Sequence, residues 1–188
     1  MVMRDYIHSD DMSLVSETLK GDNNAFAELV RRHEKMVATT VKSMVGDIQQ
    51  AEDVGQETFV RLFYSLKNFR GDAKISTYIQ RIAINLSINE LKKKNRFLSL
   101  FYQSDKENNF SEVDVPSFDT ENSTDIKEAV NMALSRLDTE FRSVVMLRLI
   151  HGYSTRETAE ILELPLGTVL SRLSRAKDQL RIILEKLI

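Results

Sequence analysis

The sequence predicts an all-α protein: two small helical domains joined by an acidic flexible linker, the second domain carrying a helix-turn-helix. Three observations predict it. The 188 residues include only 2 prolines and 6 glycines, so few positions interrupt a helix. Long stretches repeat apolar residues every three or four positions, the period of a helix with one buried face. The stretch from Ser154 to Ile188 sets a start signal, a turn and a second amphipathic segment in the order a helix-turn-helix requires.

In the first domain, residues 12–96, a short helix precedes Gly21. A second runs from about Asn24 to Val45, with Phe26, Leu29, Val30, Met36 and Val37 among its apolar positions; Gly46 and Asp47 break it. A third runs from about Ile48 to Leu66. Its expected core stripe is Ile48, Ala51, Thr58, Phe59, Leu62 and Leu66. A loop from Lys67 to Ile75 follows, and Ser76 is the expected cap of a fourth helix ending near Lys94. Ile79, Ile82, Ala83 and Leu86 form that helix's core stripe.

Residues 97–124 read as a linker. They are rich in Ser, Asn, Asp and Glu, contain Pro116 and lack a sustained helical period. Such composition buries too little apolar surface to offset the entropy of ordering. The aromatics that remain, Phe97, Phe101, Tyr102, Phe110 and Phe118, hint that parts of it dock on something.

The second domain spans residues 125–188. One helix includes Ile126, Val130, Ala133, Leu134 and Leu137. Asp138 caps the next, which contains Phe141, Val144, Val145 and Leu149 and ends at Gly152. Ser154 and Glu157 then form a capping box, Ser-x-x-Glu. Glu163 and Leu164 make the turn, and Pro165 suits the first position of the last helix. Val169, Leu173, Ala176, Leu180 and Leu184 face the core at helical spacing, leaving Ser171, Arg172, Ser174, Arg175 and Lys177 opposite. A helix of this shape fits the DNA major groove; a solvated basic face is the plainer reading of the segment alone.

Composition narrows the function. Hydrophobic residues make up 42% and charged residues 29%, as in a soluble globular protein. No run is long and apolar enough to span a membrane, the N-terminus lacks a signal peptide's basic and apolar regions, and cysteine is absent. A cytoplasmic protein without disulfides or a thiolate metal site is expected. The net charge of −2 hides a pattern. Residues 1–60 carry −5, residues 61–96 carry +7, residues 97–125 carry −6 and the remainder +2. Two basic zones around an acidic strip suggest two contacts with a polyanion.

Two further segments have chemistry to offer. In the third helix Asp53, Gln56, Glu57, Val60 and Tyr64 share a second face at three- and four-residue spacing. A mixed acidic and apolar stripe could dock a partner helix carrying basic residues, or be simply solvated. From Phe69 to Arg96, the cations Arg70, Lys74, Arg81, Lys92, Lys93, Lys94 and Arg96 alternate with Phe69, Tyr78 and Asn85. Basic groups hold phosphates, while aromatics and amides stack on or bond unpaired bases. No catalytic constellation accompanies them. His8, His33 and His151 are isolated, and neither a phosphate-binding Gly-rich loop nor paired metal-spaced histidines occur. Neither catalytic residues, nor a metal, nor a cofactor is expected.

In chain order the motifs are AEDVGQETFVRLF, FRGDAKISTYIQRIAIN, an acidic linker and YSTRETAEILELPLGTVLSRLSRAKDQLR. This series closely resembles the extracytoplasmic-function (ECF) sigma factors of bacterial RNA polymerase, within the sigma-70 family, over nearly all of residues 12–188. The resemblance implies a sigma subunit that brings core polymerase to specific promoters and melts the −10 region. It implies contact with the polymerase β′ coiled coil through Asp53, Gln56, Glu57, Val60 and Arg61, and a further contact with the β flap. It implies −10 recognition, with a base flipped into a pocket, through Phe69, Lys74, Ser76, Tyr78, Arg81 and Asn85. The −35 element falls to Thr168, Leu170, Ser171, Arg172, Ser174, Arg175 and Lys177. An anti-sigma factor is implied as a regulator, and no membrane insertion. Two positions depart from the family's pattern. Tyr78 stands where Trp is frequent, and Leu170 stands where Lys or Arg is usual, which suits contact with a thymine methyl better than with phosphate.

A different class remains open on the residues alone: a conventional helix-turn-helix regulator binding duplex DNA without polymerase. The aromatic and basic fourth helix argues against it. An enzyme acting on nucleic acid would need acid–base or metal constellations of a kind these residues do not form.

Overall fold

The computed structural model describes Tyr6, residues 8–102 and residues 123–186. Every regular element among them is helical. The chain divides into two compact units, Met1–Lys42 with Asp47–Ser87, and Ser43–Gly46 with Ile88–Ile188. The aromatics Phe110 and Phe118 lie outside the described residues.

The first unit begins with α1, Asp11–Leu19, capped by Asp10, whose carboxylate accepts from the Ser13 N–H at 2.9 Å. That bond holds the Asp10 carboxyl below its ordinary pKa. The segment entering α1 is fastened to α2, Asn23–Val45, by one guanidinium. Arg32 donates to the carbonyls of Tyr6 at 2.8 Å and Ser9 at 2.6 Å, and pairs with Asp11 at 3.0 Å. His33 meets the other Asp11 oxygen at 2.9 Å. Glu28 receives hydrogen bonds from Arg31 and then Arg32, which lower its pKa to about 2.

Gly46, at φ +82°, ends α2 in the left-handed region that glycine tolerates. Asp47 then caps α3, Ile48–Ser65, accepting from Gln50 N–H at 2.9 Å. A short 3₁₀ turn, Leu66–Asn68, leads to the basic loop and α4, Ile75–Tyr102. Leu14, Leu29, Val37, Val41, Leu62, Leu66, Ile79 and Ile84 are buried together. Gln80 is buried among them and donates to Thr40 Oγ1 at 2.7 Å.

Several expected details differ. Ile48 is 66% exposed and Val54 is buried in its place. As the first residue of α3, Ile48 sits at the mouth of the α2–α3 groove rather than in the core. Ser76 is not a cap. The Lys74 carbonyl already accepts from the Thr77 and Tyr78 N–H groups, because Ile75, 3% exposed, is drawn into the core and starts the helix earlier. Ile82 is half-buried, while Ile75 and Ile84 are buried. The helix also continues past Lys94 to Tyr102.

The second unit contains α5, Ser123–Ser135, and α6, Thr139–Val145, extended by a π-helical turn, Met146–Ile150. Asp138 occupies the cap position of α6 without a side-chain capping bond. Arg142, 6% exposed, instead turns back and donates to the carbonyls of Ser135 and Leu137, satisfying acceptors orphaned at the end of α5. Desolvation lowers its pKa, opposed by Asp138. The wide π turn shifts the side-chain register. Met146 and Leu147 are buried, and Leu149, expected among the core positions, is 49% exposed. Gly152, at φ +71°, then leads into α7, Thr155–Leu162.

The capping box is formed on both sides. Glu157 N–H donates to Ser154 Oγ at 3.2 Å, and Ser154 N–H to Glu157 Oε2 at 2.8 Å. Glu163 ends α7 at φ 54°, and Pro165 takes the N-cap position of α8, Leu166–Glu185, one residue before the expected place. Val144, Ala159 and Val169 meet at the centre of this trihelical core, flanked by Leu162, Leu164 and Leu173.

Candidate nucleic-acid and polymerase interface

The fourth helix arranges its polar and aromatic residues on one line. Lys74, Tyr78, Arg81 and Asn85 recur four, seven and eleven positions along, so they share a stripe. The core occupies the rest of the circumference, with Ile75, Ile79, Gln80, Ala83 and Leu86 buried. Lys74 and Asn85 are exposed, whereas Tyr78 and Arg81 are half-buried. Phe69 comes from the preceding loop to the same place. Its ring centroid is 5.2 Å from that of Tyr78, the planes inclined by 43°. Two aromatic rings beside cations form a surface on which unstacked bases can rest while phosphates are held.

Ser76 departs from this stripe. It lines a cavity of about 470 Å³ together with Lys74, Gly71 and Asp72 of the loop and Asp10, Asp11 and Met12 at the start of α1. Sequence reasoning missed the contribution of α1. No local signal links positions some sixty residues apart; Met12 of α1 meets the loop at Gly71, while Arg32 fastens the entry of α1 to α2.

On α3, Asp53, Gln56, Glu57, Val60 and Arg61 are all exposed, as is Tyr64 at 71%. Arg61 pairs with Glu57 at 2.8 Å. Phe63, 44% exposed, packs edge-on against Phe26 at 5.0 Å and Tyr64 at 5.7 Å, so acidic and aromatic surface lie side by side. A groove of about 490 Å³ between α2 and α3 adjoins it, with Val30, Val37, Ala51 and Phe59 among its walls and Gln56 at its edge.

On α8, Leu170, Ser171, Ser174, Arg175 and Lys177 are exposed. Thr168 is half-buried, its carbonyl accepting from Ser171 Oγ at 3.1 Å. Arg172 stands apart from these: it is half-buried and pairs with Glu140 of α6 at 2.6 Å.

Residues 29–97 match the family model "Sigma-70 region 2", and residues 127–180 match "Sigma-70, region 4". The chain belongs to the ECF sigma factors, as these two regions and the relatives that follow show. It is 31% identical over 184 residues to the RNA polymerase sigma-H factor of Pseudomonas aeruginosa, covering 95% of each chain. It is 30% identical to the ECF RNA polymerase sigma factor SigW of Bacillus subtilis, covering 89% of this chain and 92% of that one. Among solved structures, it resembles CnrH in complex with the cytosolic domain of CnrY, with a TM-score of 0.68 and 25% identity over 94% of this chain and 97% of that one.

Its function is that of a sigma factor of RNA polymerase rather than of a self-sufficient regulator. The two matched regions carry the expected motifs, and α1, which helps wall the cavity beside Ser76, lies before the first of them. No helix among the described residues of this sigma factor is long and apolar enough to cross a membrane.

Proposed function

We propose that the sigma factor divides promoter recognition between its two matched regions, with residues 12–96 and 125–188 as the working modules. Phe69, Lys74, Tyr78, Arg81 and Asn85 engage the −10 element. The observation that carries this reading is the single stripe of Lys74, Tyr78, Arg81 and Asn85, with the Phe69 ring against Tyr78. Stacking on such rings offsets part of the cost of unpairing, a few kcal/mol per flipped base. The cavity beside Ser76 receives the flipped base. Lys74 stands at its edge for the phosphate, and the carboxylates of Asp10 and Asp72 are among its walls. Acceptors of this kind suit an exocyclic amine.

The α8 residues Thr168, Leu170, Ser171, Ser174, Arg175 and Lys177 meet the −35 element in the major groove. Asp53, Gln56, Glu57, Val60 and Arg61 engage the polymerase β′ coiled coil, and the C-terminal region meets the β flap. The protein acts in the cytoplasm and performs no bond-making chemistry itself; the polymerase does. An anti-sigma factor restrains it by covering polymerase-binding surface.

Reconstituted transcription tests the reading. Core polymerase, this protein and a genomic promoter library are combined. RNA made only when both proteins are present, from start sites sharing two upstream elements, is the expected result. Tight duplex binding by the isolated chain, without transcription, would favour the conventional regulator instead.

A further inference from the structure

Arg172 looks, by sequence, like one more cation of the DNA-reading helix, and the structure separates it from the others on three counts. Its phase on α8 is internal. It lies three positions after Val169 and four before Ala176, both fully buried, so it flanks the face packed on the domain core. Its side chain is only 24% exposed, whereas Ser171, Ser174, Arg175 and Lys177 are exposed. Its guanidinium is engaged, at 2.6 Å, by Glu140 in the first turn of α6.

The geometry points to Arg172 as a positioning residue that locks the recognition helix onto α6 through Glu140, leaving the reading of DNA to the Thr168, Ser171 and Arg175 stripe. The apolar contacts of Val144, Ala159 and Val169 hold α7 and α8 against α6. Apolar packing is non-directional, so it tolerates small rotations of α8 about its axis. A directed ion pair on the flank opposes them. A rotation of one residue's phase, about 100°, would replace the whole reading stripe, and a fraction of that displaces side-chain tips by ångströms.

This inference rests on the proposed −35 role of α8, and its test separates the two. Holoenzyme binding to the promoter found by reconstituted transcription is measured against salt for wild type, Glu140→Gln, Arg172→Ala, the double variant and Arg175→Ala. Losing a phosphate contact reduces the salt slope by about one; losing a positioning contact does not. The expected result is that Glu140→Gln, Arg172→Ala and their combination all weaken binding by about the same factor, roughly 3- to 5-fold, at unchanged slope. Arg175→Ala weakens binding and lowers the slope. Glu140 is 66% exposed, so the Gln variant keeps the fold, and unchanged core-polymerase affinity checks this.

A lowered slope for Arg172→Ala would overturn the inference, as would tighter binding by Glu140→Gln. The latter is what simple removal of a negative charge near DNA produces. No effect of Arg172→Ala or Glu140→Gln would also overturn it. Indifference of Arg175→Ala would remove the DNA-reading stripe itself, and the inference with it.

Discussion

The terminal methyl of Met12 lies 3.3 Å from the point where a Cβ on Gly71 would sit, which joins the start of α1 to the basic loop before α4. Gly71 also holds φ +79°, a conformation that costs an L-residue about 1 kcal/mol or more. The contact can relax, since it comes from the flexible end of a methionine; the backbone cannot. Gly71→Ala should therefore lower stability by about 1–2 kcal/mol, read as a shift in the thermal midpoint. It should also impair promoter opening more than promoter binding, because the loop forms one wall of the cavity beside Ser76. Unchanged stability would show that the loop takes up another conformation freely.

Tyr78 should matter for its ring. Tyr78→Phe keeps the stacking surface beside Phe69 and should retain promoter opening. Tyr78→Ala should reduce it by roughly 10-fold or more, since stacking on an aromatic contributes about 1–3 kcal/mol per base. A fluorescent base analogue in the −10 element reports the opening directly. Equal opening by the Ala variant would take Tyr78 out of the interface.

Charge reversal on α3 should weaken assembly with core polymerase. Asp53 and Glu57 are exposed, and Glu57 is held by Arg61 at 2.8 Å. Asp53→Arg and Glu57→Arg place a cation where the proposed contact requires an acid, and each should lower core affinity by roughly 10-fold or more, since a like-charge juxtaposition at an interface costs up to several kcal/mol. Such surface changes leave the thermal midpoint almost unmoved. Wild-type affinity in both variants would reject this face.

Burial lowers the pKa of His151 from its ordinary 6.5. The unfolded chain then takes up a proton near pH 6.5 that the folded form resists. Stability from this group is fully present above pH 6.5, falls as pH drops below it, and levels off below the lowered folded value. His151→Gln should flatten that portion of the stability–pH curve. A curve of wild-type steepness in the variant would assign the acid loss to other groups.

Much of this was legible in the sequence because it is local. The Ser154–Glu157 box, the break at Gly46 and the turn at Glu163 each depend on residues within a few positions of one another, and the backbone obeys them. Helical periodicity likewise brought Asp53, Gln56, Glu57 and Val60 onto one exposed face; that Lys74, Tyr78, Arg81 and Asn85 form one stripe came only with the observed start of α4.

Where the reading slipped, burial and helix geometry overrode the local signal. Ser76 looked like a cap, but burial of Ile75 starts the helix earlier. Leu149 fitted a regular helix, but the π turn rotates it outward.

By itself, then, the sequence determined the helical class, the order of the motifs and the membership in the ECF sigma factors, because periodicity, caps and motif spacing are properties of the chain. Only the tertiary structure decided that α1 closes the cavity beside Ser76 and that Arg172 turns toward Glu140. Both follow from packing between segments far apart in the chain. Periodicity tells which side of a helix is buried; it does not tell what the side chain on the boundary will find there.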